Sequence, residues 1–189
     1  MKLPCYVLTV CLIVVGCASR RPDHFYALSV EPAQTNAARS GFTRQVSLHV
    51  TLPSLVDRSE LVLTSREQVS ILEHERWASP LLDQFGATLG QDIEARRADL
   101  VIANRSLEQG KLPSSKISLE IVRWTAQRGG RVSLETRWRV TDSISGNVSV
   151  GRDIVSAGIA SDNYEQVVAA ISGCIGQLAD KLVAQIPAP

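Results

Sequence analysis

The chain has little net charge, few aromatic residues and only four cysteines among its 189 residues. Lysine and arginine number 20 against 19 aspartate and glutamate, and removal of Lys2, which lies in a segment expected to be cleaved, leaves 19 of each. A near-neutral domain lacks the surplus of cations that neutralises phosphates, which argues against nucleic acid as the partner. Hydrophobic residues make up 44% of the chain, which is ordinary for a globular protein.

Motifs that carry catalysis or hold a cofactor are missing from the sequence. It has no Gly-x-Ser-x-Gly elbow, no glycine-rich phosphate loop and no Cys-x-x-Cys pair. His24, His49 and His74 are far apart in sequence. Glu73 and Glu75 flank His74, but neighbours on a strand point to opposite faces. We interpret that run as a solvated charge cluster rather than a metal site, and we expect no enzyme activity and no cofactor.

A long hydrophobic run is also missing, and the one apolar segment of note lies at the N-terminus. Residues 6–15 follow the positive charge of Lys2 and are about ten residues long, whereas a membrane-spanning helix needs roughly 20. Val14-Val15-Gly16-Cys17 resembles a bacterial lipobox, in which a small residue precedes the acylated cysteine. We predict a signal peptide over residues 1–16, lipidation of Cys17 with fatty chains such as palmitate, and a tether over residues 17–23. An ordinary cleaved signal peptide or an uncleaved anchor is the alternative.

The cysteine count agrees with export. Cys5 and Cys11 lie in the predicted signal peptide and Cys17 carries the lipid, so Cys174 has no disulfide partner. Because Cys174 lies in an apolar helical stripe, we expect it to be a small buried hydrophobe. Ala18 follows the lipid site, where an aspartate signals inner-membrane retention in well-studied Gram-negative lipoproteins. The sequence therefore predicts an outer-membrane lipoprotein whose domain faces the periplasm.

Hydrophobic periodicity predicts one α/β (α+β) domain over residues 24–189, with a mixed, mostly antiparallel sheet of about seven strands and two amphipathic helices packed on one face. The predicted strands are His24–Val30, Val46–Leu52, Leu61–Ser65, Gln68–Glu73, Leu100–Ala103, two strands of a hairpin around Gly129-Gly130, and Val148–Ile154. Loops are expected at residues 31–45 and 106–115.

Both helices carry recognisable start signals. The first is predicted to run from Ser79 as N-cap, with Pro80 at its first position, to about Arg97. Inside it, Gly86 and Gly90 are expected to allow close packing on the sheet. The second is predicted to begin at Asp162, to form a capping box with Glu165 and to end before Pro187.

The hairpin gives the strongest local pattern. A two-residue turn at Gly129-Gly130 would set Trp138 opposite Ile121 and Val140 opposite Leu119, with all four side chains on one buried face.

The three tryptophans differ in their predicted environments. Trp138 is expected in the core, and Trp77 is expected to staple the first helix to the sheet. Trp124 breaks the strand alternation, which a bulge or twist would explain. Trp124 and Trp77 are the candidate contacts for a partner or a lipid.

At these residues the chain resembles the PqiC (YmbA-like) family, the auxiliary lipoproteins of ABC-type and MCE-type lipid transport systems. The resemblance covers nearly the whole mature chain and depends on the order of several short motifs. They are the lipobox, Phe25-Tyr26-Ala27-Leu28, Val50-Thr51-Leu52-Pro53-Ser54-Leu55 with Asp57-Arg58 and Leu61-Val62, Arg76-Trp77-Ala78-Ser79-Pro80-Leu81, and a terminal amphipathic helix. Residues 69–74 depart from the family because they lack its aromatic-rich segment.

The resemblance implies a non-enzymatic role. Such a lipoprotein would sit at the outer membrane, dock on a periplasmic MCE protein that works with ABC transporter components, form a homo-oligomeric ring and contribute to envelope integrity. The alternatives are an assembly factor for an outer-membrane protein and a lipid-modifying enzyme.

Overall fold

A computed structural model describes residues 21–32, 44–65, 67–103 and 114–187. The predicted signal peptide, Cys17 and most of the two predicted loops lie outside these ranges. The elements in chain order are β1 (His24–Tyr26), β2 (Arg44–Thr51), β3 (Glu60–Thr64), β4 (Val69–Trp77), α1 (Leu81–Arg96), β5 (Leu100–Ala103), β6 (Ser115–Ala126), β7 (Arg131–Asp142), β8 (Val148–Gly158) and α2 (Tyr164–Val183). Across the ranges described, no helix combines the length and the apolar character that a membrane span requires.

The strands form one mixed sheet, which confirms the predicted α+β class. Strand β6 is central: it pairs with β7 in an antiparallel manner and with β2 in a parallel manner, and it touches the end of β3. Antiparallel pairs also join β3 to β4 and β7 to β8. Parallel pairs join β1 to β4 and β2 to β5. The path β1-β4-β3-β6-β7-β8 therefore has β1 at one end and β8 at the other.

Both helices pack on the same face of this sheet, as predicted. Helix α1 contacts β2 and β5, α2 contacts β7 and β8, and the two helices contact each other. The largest fully buried side chains include Phe85, Leu89 and Ile93 of α1 and Ile171, Ile175 and Leu178 of α2. Their recurrence every three or four residues explains why one stripe of each helix is removed from water.

The β6–β7 hairpin has the predicted buried face but different cross-strand partners. Trp138 pairs with Leu119, not with Ile121, and Val140 pairs with Ile117, not with Leu119. The predicted register is wrong by two residues. Because side chains alternate with a period of two, a shift of two leaves Trp138, Val140 and their partners beyond the bulge on the expected face.

A longer turn and a β-bulge each account for one residue of that shift. Gly130 N donates to Gln127 O at 3.0 Å and Gln127 N donates to Arg131 O at 3.1 Å, so the loop is three residues long rather than two. Gly129 has a φ of +65°, a conformation that glycine adopts without a steric penalty. The second residue is Val122, which is the extra residue where the register shifts between Ile121 and Arg123.

The first helix starts one residue later than predicted. Pro80, with φ −50° and ψ 129°, is the N-cap, and no side chain caps the helix. The prediction that Ser79 is the N-cap is therefore wrong. The backbone carbonyl of Ser79 instead accepts a hydrogen bond from Gln84 Nε2 at 2.8 Å. Gly90 does allow close packing, since a Cβ there would lie 3.3 Å from Ile102 Cγ1, whereas Gly86 has nothing within 4 Å.

The second helix also starts later than predicted. Its N-cap is Asn163, whose Oδ1 accepts the backbone N–H of Gln166 at 3.0 Å. Asp162 lies outside the helix and instead forms an ion pair with Arg128 at 2.9 Å.

The first strand is shorter than predicted because the chain leaves the sheet after Tyr26. Residues 27–32 instead cross the two helices as an extended segment. Its backbone N–H groups are taken by helix side chains: Leu28 N donates to Gln84 Oε1 at 3.0 Å, Ser29 N to Ser172 Oγ at 3.1 Å and Glu31 N to Asp92 Oδ1 at 2.9 Å. The apolar pattern up to Val30 therefore does not mark a longer strand.

Candidate functional site

The two tryptophans predicted as contacts are both buried. Trp77 is 5% exposed and Trp124 is 6% exposed. The Trp124 ring lies 6.3 Å from the ring centre of Phe85 on α1, at an interplanar angle of 53°. Burial leaves neither indole ring the exposure that a contact with a partner or a lipid would need. The bulge at Val122 reverses the alternation, so Trp124 turns toward the helices and Val122 turns outward.

Trp138 lies at the margin of the core. It is partly buried, and its Nε1 donates to Asp153 Oδ2 at 2.7 Å. Lys181 of α2 forms an ion pair with the other oxygen of Asp153 at 2.8 Å. Both hydrogen bonds lower the pKa of Asp153 despite the opposing effect of burial. The indole ring also covers Gly151. Trp138, Asp153 and Lys181 together link β7, β8 and α2.

Cys174 is a buried thiol, as predicted. It is fully excluded from solvent and packs in the core. Burial raises the pKa of this thiol to about 12. A thiol of that pKa is protonated at neutral pH and is a poor nucleophile.

His74 and Glu75 of the predicted charge cluster contact the start of β1 and the residue before it. His74 Nδ1 lies 3.0 Å from Asp23 Oδ1, and His24 Nδ1 lies 3.2 Å from Glu75 Oε1. Tyr26 donates to Glu75 Oε2 at 2.5 Å, and desolvation together with this bond raises the tyrosine pKa. The described ranges contain no group of three or more histidine, cysteine, aspartate or glutamate side chains arranged to hold a metal ion.

The sheet face opposite the helices carries a cluster of arginines. Arg137 and Arg139 of β7 and Arg152 of β8 point to this face, together with Glu120 of β6 and His49 of β2, and all five line an open groove of about 480 Å³. We call this surface the arginine face. Arg137 lies 3.8 Å from Glu120. Within the described part of the chain, Arg139 and Arg152 form no ion pair.

Aliphatic side chains border the arginine face along β8. Val148, Val150 and Ile154 are 51%, 63% and 69% exposed and alternate with residues that face the helices. The sequence pattern of β8 indicated a strand but not which of its faces is solvated. An available signal is Arg152, because a charged residue in phase with valine and isoleucine is rare on a buried face.

Comparisons with known proteins identify relatives over most of the chain. A family model described as an ABC-type transport auxiliary lipoprotein component matches residues 26–183. No protein with a curated description is similar to the chain. The crystal structure of an uncharacterized protein superposes with a TM-score of 0.71 at 18% identity, covering 88% of this chain and 100% of that one. A crystal structure of a protein from Xanthomonas campestris gives a TM-score of 0.66 at 15% identity, covering 85% and 92%. At these identities the two structures show a shared fold.

Proposed function

Because this chain belongs to the family of ABC-type transport auxiliary lipoprotein components, we propose that it is a membrane-anchored accessory subunit of an ABC transport system that acts by docking. The family match over residues 26–183 is the observation that carries this proposal. We place the lipid anchor at Cys17 in the outer membrane and the folded domain in the periplasm. The partner we propose is the periplasmic MCE component of a lipid transport system that maintains the envelope.

The chemistry of the described residues supports docking over catalysis. The cysteine in these ranges is buried and protonated. The exposed cations lie on an open sheet face rather than in a closed cleft. Open, charged faces next to exposed aliphatic residues are typical of interaction surfaces.

The fold also sets how far the domain stands from its proposed anchor. An extended chain spans at most about 3.6 Å per residue, so the stretch from Cys17 to β1 reaches about 25 Å. Strand β1 then lies within about 25 Å of the bilayer. The opposite end of the sheet, with β8 and the arginine face, lies five strand spacings away, which is about 24 Å at 4.8 Å each.

Copurification from native envelopes tests the role in transport. The full-length chain with a C-terminal tag is solubilised in mild detergent and its partners are identified by mass spectrometry. We expect an ABC permease, its ATPase or an MCE protein at ratios above those of an unrelated tagged lipoprotein. Repeated recovery without any transport component would refute the proposal.

Substitution of Cys17 tests the anchor separately. We expect Cys17→Ser to move the chain from the membrane fraction to the aqueous fraction, because it has no thiol to carry two or three acyl chains. Cys174→Ala is the matched control, since it removes the other mature thiol but leaves the anchor. Equal membrane retention of wild type and Cys17→Ser would exclude lipid anchoring at this residue. Ala18→Asp tests which membrane holds the anchor, and we expect this substitution to shift the protein to the inner-membrane fraction.

A further inference from the structure

Strand β8 is an open edge of the sheet. It pairs with β7 from Val148 to Gly158, over eleven residues. No strand in the described part of the chain pairs with its other edge. Ser156 O on this strand accepts Gln177 Nε2 at 3.0 Å. The rest of the outer edge presents backbone N–H and C=O groups that another strand can pair with.

Side chains along the same strand are unusual for an unoccupied edge. Natural edges are blunted by charged residues, prolines, bulges or short length. The β8 edge has two charged residues, Arg152 on the outward face and Asp153 toward the helices, but its eleven-residue strand also exposes Val148, Val150 and Ile154 on the outward face. Along the outward face the order is therefore two aliphatic residues, one cation and one further aliphatic residue.

The arginines beside this row repel one another. Arg152 pairs directly with Arg137 in the register of β7 and β8, and Arg139 is next along the same face. Like charges placed directly opposite on a sheet are destabilising. Glu120 partly compensates Arg137 at 3.8 Å. An acidic group beside Arg152 would relieve the remaining repulsion.

We propose that the β8 edge binds an extended acidic segment of a partner protein as an added strand. In this arrangement an aspartate or glutamate lies beside Arg152, and apolar residues two positions to either side lie beside Val150 and Ile154. The period of two along a strand places all three on the arginine face. This deepens the function proposed above, on which it rests, by naming the kind of segment that a transport partner would supply.

A second copy of the chain does not supply that segment through its own β8. The outward row of β8 is Val148, Val150, Arg152, Ile154 and Ser156, which contains no acid. Two antiparallel β8 strands centred on one another would bring Asp153 beside Asp153 and Arg152 beside Ile154, so neither copy would give Arg152 an acidic neighbour. A bilayer surface is a different kind of occupant, because lipid headgroups do not supply the alternating backbone N–H and C=O groups that pair with a strand edge.

Peptide titration provides the test. The probe is a capped seven-residue peptide with a central glutamate, valines two positions to either side and threonines elsewhere. The full chain carrying Cys17→Ser is labelled with ¹⁵N and titrated to millimolar peptide. We expect shifts and added exchange protection at β8 amides. A lysine in place of the glutamate should weaken binding about tenfold or more, since a charge-assisted contact is replaced by repulsion.

Charge reversal identifies the residue. We expect Arg152→Glu to invert the preference, so that the lysine peptide binds more tightly than the glutamate peptide. Arg131→Glu is the matched control: it makes the same change of charge, pairs with Gly158 at the end of β8 and lies six residues, about 20 Å, from Arg137 along β7. It should leave the preference unchanged. Matching thermal unfolding curves for the two variants exclude misfolding as the cause.

Three outcomes would overturn the proposal. They are no binding of the glutamate peptide at millimolar concentration, equal binding of the two peptides, and binding of anionic phosphatidylglycerol vesicles at β8 without binding of the peptide. None of these outcomes bears on the copurification of transport components. Failure of the edge proposal and failure of the accessory role are therefore separate results.

Discussion

At the residue scale, Gly151 is fixed by the aromatic ring that lies over it. A Cβ at this position would overlap with Cζ2 of Trp138 and lie 2.7 Å from its Cε2. The ring itself is held in place by its hydrogen bond to Asp153. A side chain at residue 151 must therefore displace the indole or the strand.

Gly151→Ala should lower the free energy of unfolding by about 1–3 kcal/mol, which is the usual cost of overpacking. Urea denaturation of wild type and variant measures the difference. Gly86→Ala is the matched control, because Gly86 has open space around it and lies inside α1. We expect that control to be neutral or to stabilise by up to about 1 kcal/mol. Equal effects of the two substitutions would contradict the packing argument.

A buried ion pair is the second residue-scale feature. Arg44, at the start of β2, donates to Asp142 Oδ1 at 2.9 Å and to Pro187 O at 3.0 Å. Asp142 also accepts the Ser145 hydroxyl at 2.7 Å. This hydrogen bond, backbone N–H groups of Ile144 and Ser145, and Arg44 lower the pKa of Asp142.

Asp142→Ala should reduce the free energy of unfolding at pH 7 by about 3–5 kcal/mol, since it leaves the Arg44 guanidinium buried without its partner. Because the folded pKa of Asp142 is depressed, its contribution is complete above the ordinary value of 3.8 and is lost as the pH falls through the lower folded value. Denaturation curves from pH 7 to pH 2.5 should therefore converge in acid. A difference that stays constant over that range would show that the carboxylate charge is not the cause.

At the element scale, helix α2 is positioned by its first turn. Asn163 caps the helix, and Tyr164, its first residue, accepts a hydrogen bond from Arg128 of the β6–β7 turn at 3.1 Å. The same arginine lies over the Tyr164 ring, 5.4 Å from its centre. These contacts tie the start of α2 to the hairpin, and the apolar stripe that follows packs against β7 and β8.

Asn163→Ala should destabilise the protein by about 1 kcal/mol, the typical value of an N-cap side chain. Asp162→Ala serves as the control: its partner is Arg128 in an exposed ion pair, and such pairs contribute about 0–1 kcal/mol. Thermal unfolding followed by circular dichroism compares the two. A larger loss for Asp162→Ala would instead support the cap that the sequence pattern predicted.

At the scale of the whole molecule, one core joins the sheet and both helices. Trp124 packs against α1, Cys174 of α2 is buried, and the extended segment at residues 27–32 is hydrogen-bonded to both helices. A single core of this kind favours a cooperative unfolding transition. The thiol of Cys174 in α2 and the indole of Trp124 in β6 should then both report the same unfolding transition.

The Cys174 thiol should be unreactive toward a disulfide reagent in the native protein and become reactive only on unfolding. In a chain carrying Cys5→Ser, Cys11→Ser and Cys17→Ser, the urea midpoint of Cys174 reactivity should coincide with that of tryptophan fluorescence. Burial and a pKa of about 12 are the physical reasons. Thiol labelling well before the fluorescence transition would show that α2 detaches on its own.

Short-range chemistry in the sequence determined the elements and the class of protein. Period-two alternation located β6, β7 and β8, the three-four spacing of apolar residues located both helices, and the motifs around Trp77 indicated the family that the comparison then matched. These signals depend on residues a few positions apart, so a linear pattern contains them. The anchor at Cys17 depends on the same kind of signal and stays a prediction.

Only the tertiary structure decided which faces and edges remain open. The register of β6 and β7 depends on a bulge at Val122, and the burial of Trp124 follows from it. The end of β1 depends on distant side chains of α1 and α2, which accept the backbone N–H groups of Leu28, Ser29 and Glu31 in the segment that follows. The arginine face arises because the pairing of β7 with β8 brings Arg137, Arg139 and Arg152 together. Such features are set by partners far away in sequence, and a side chain does not specify locally what will lie across from it.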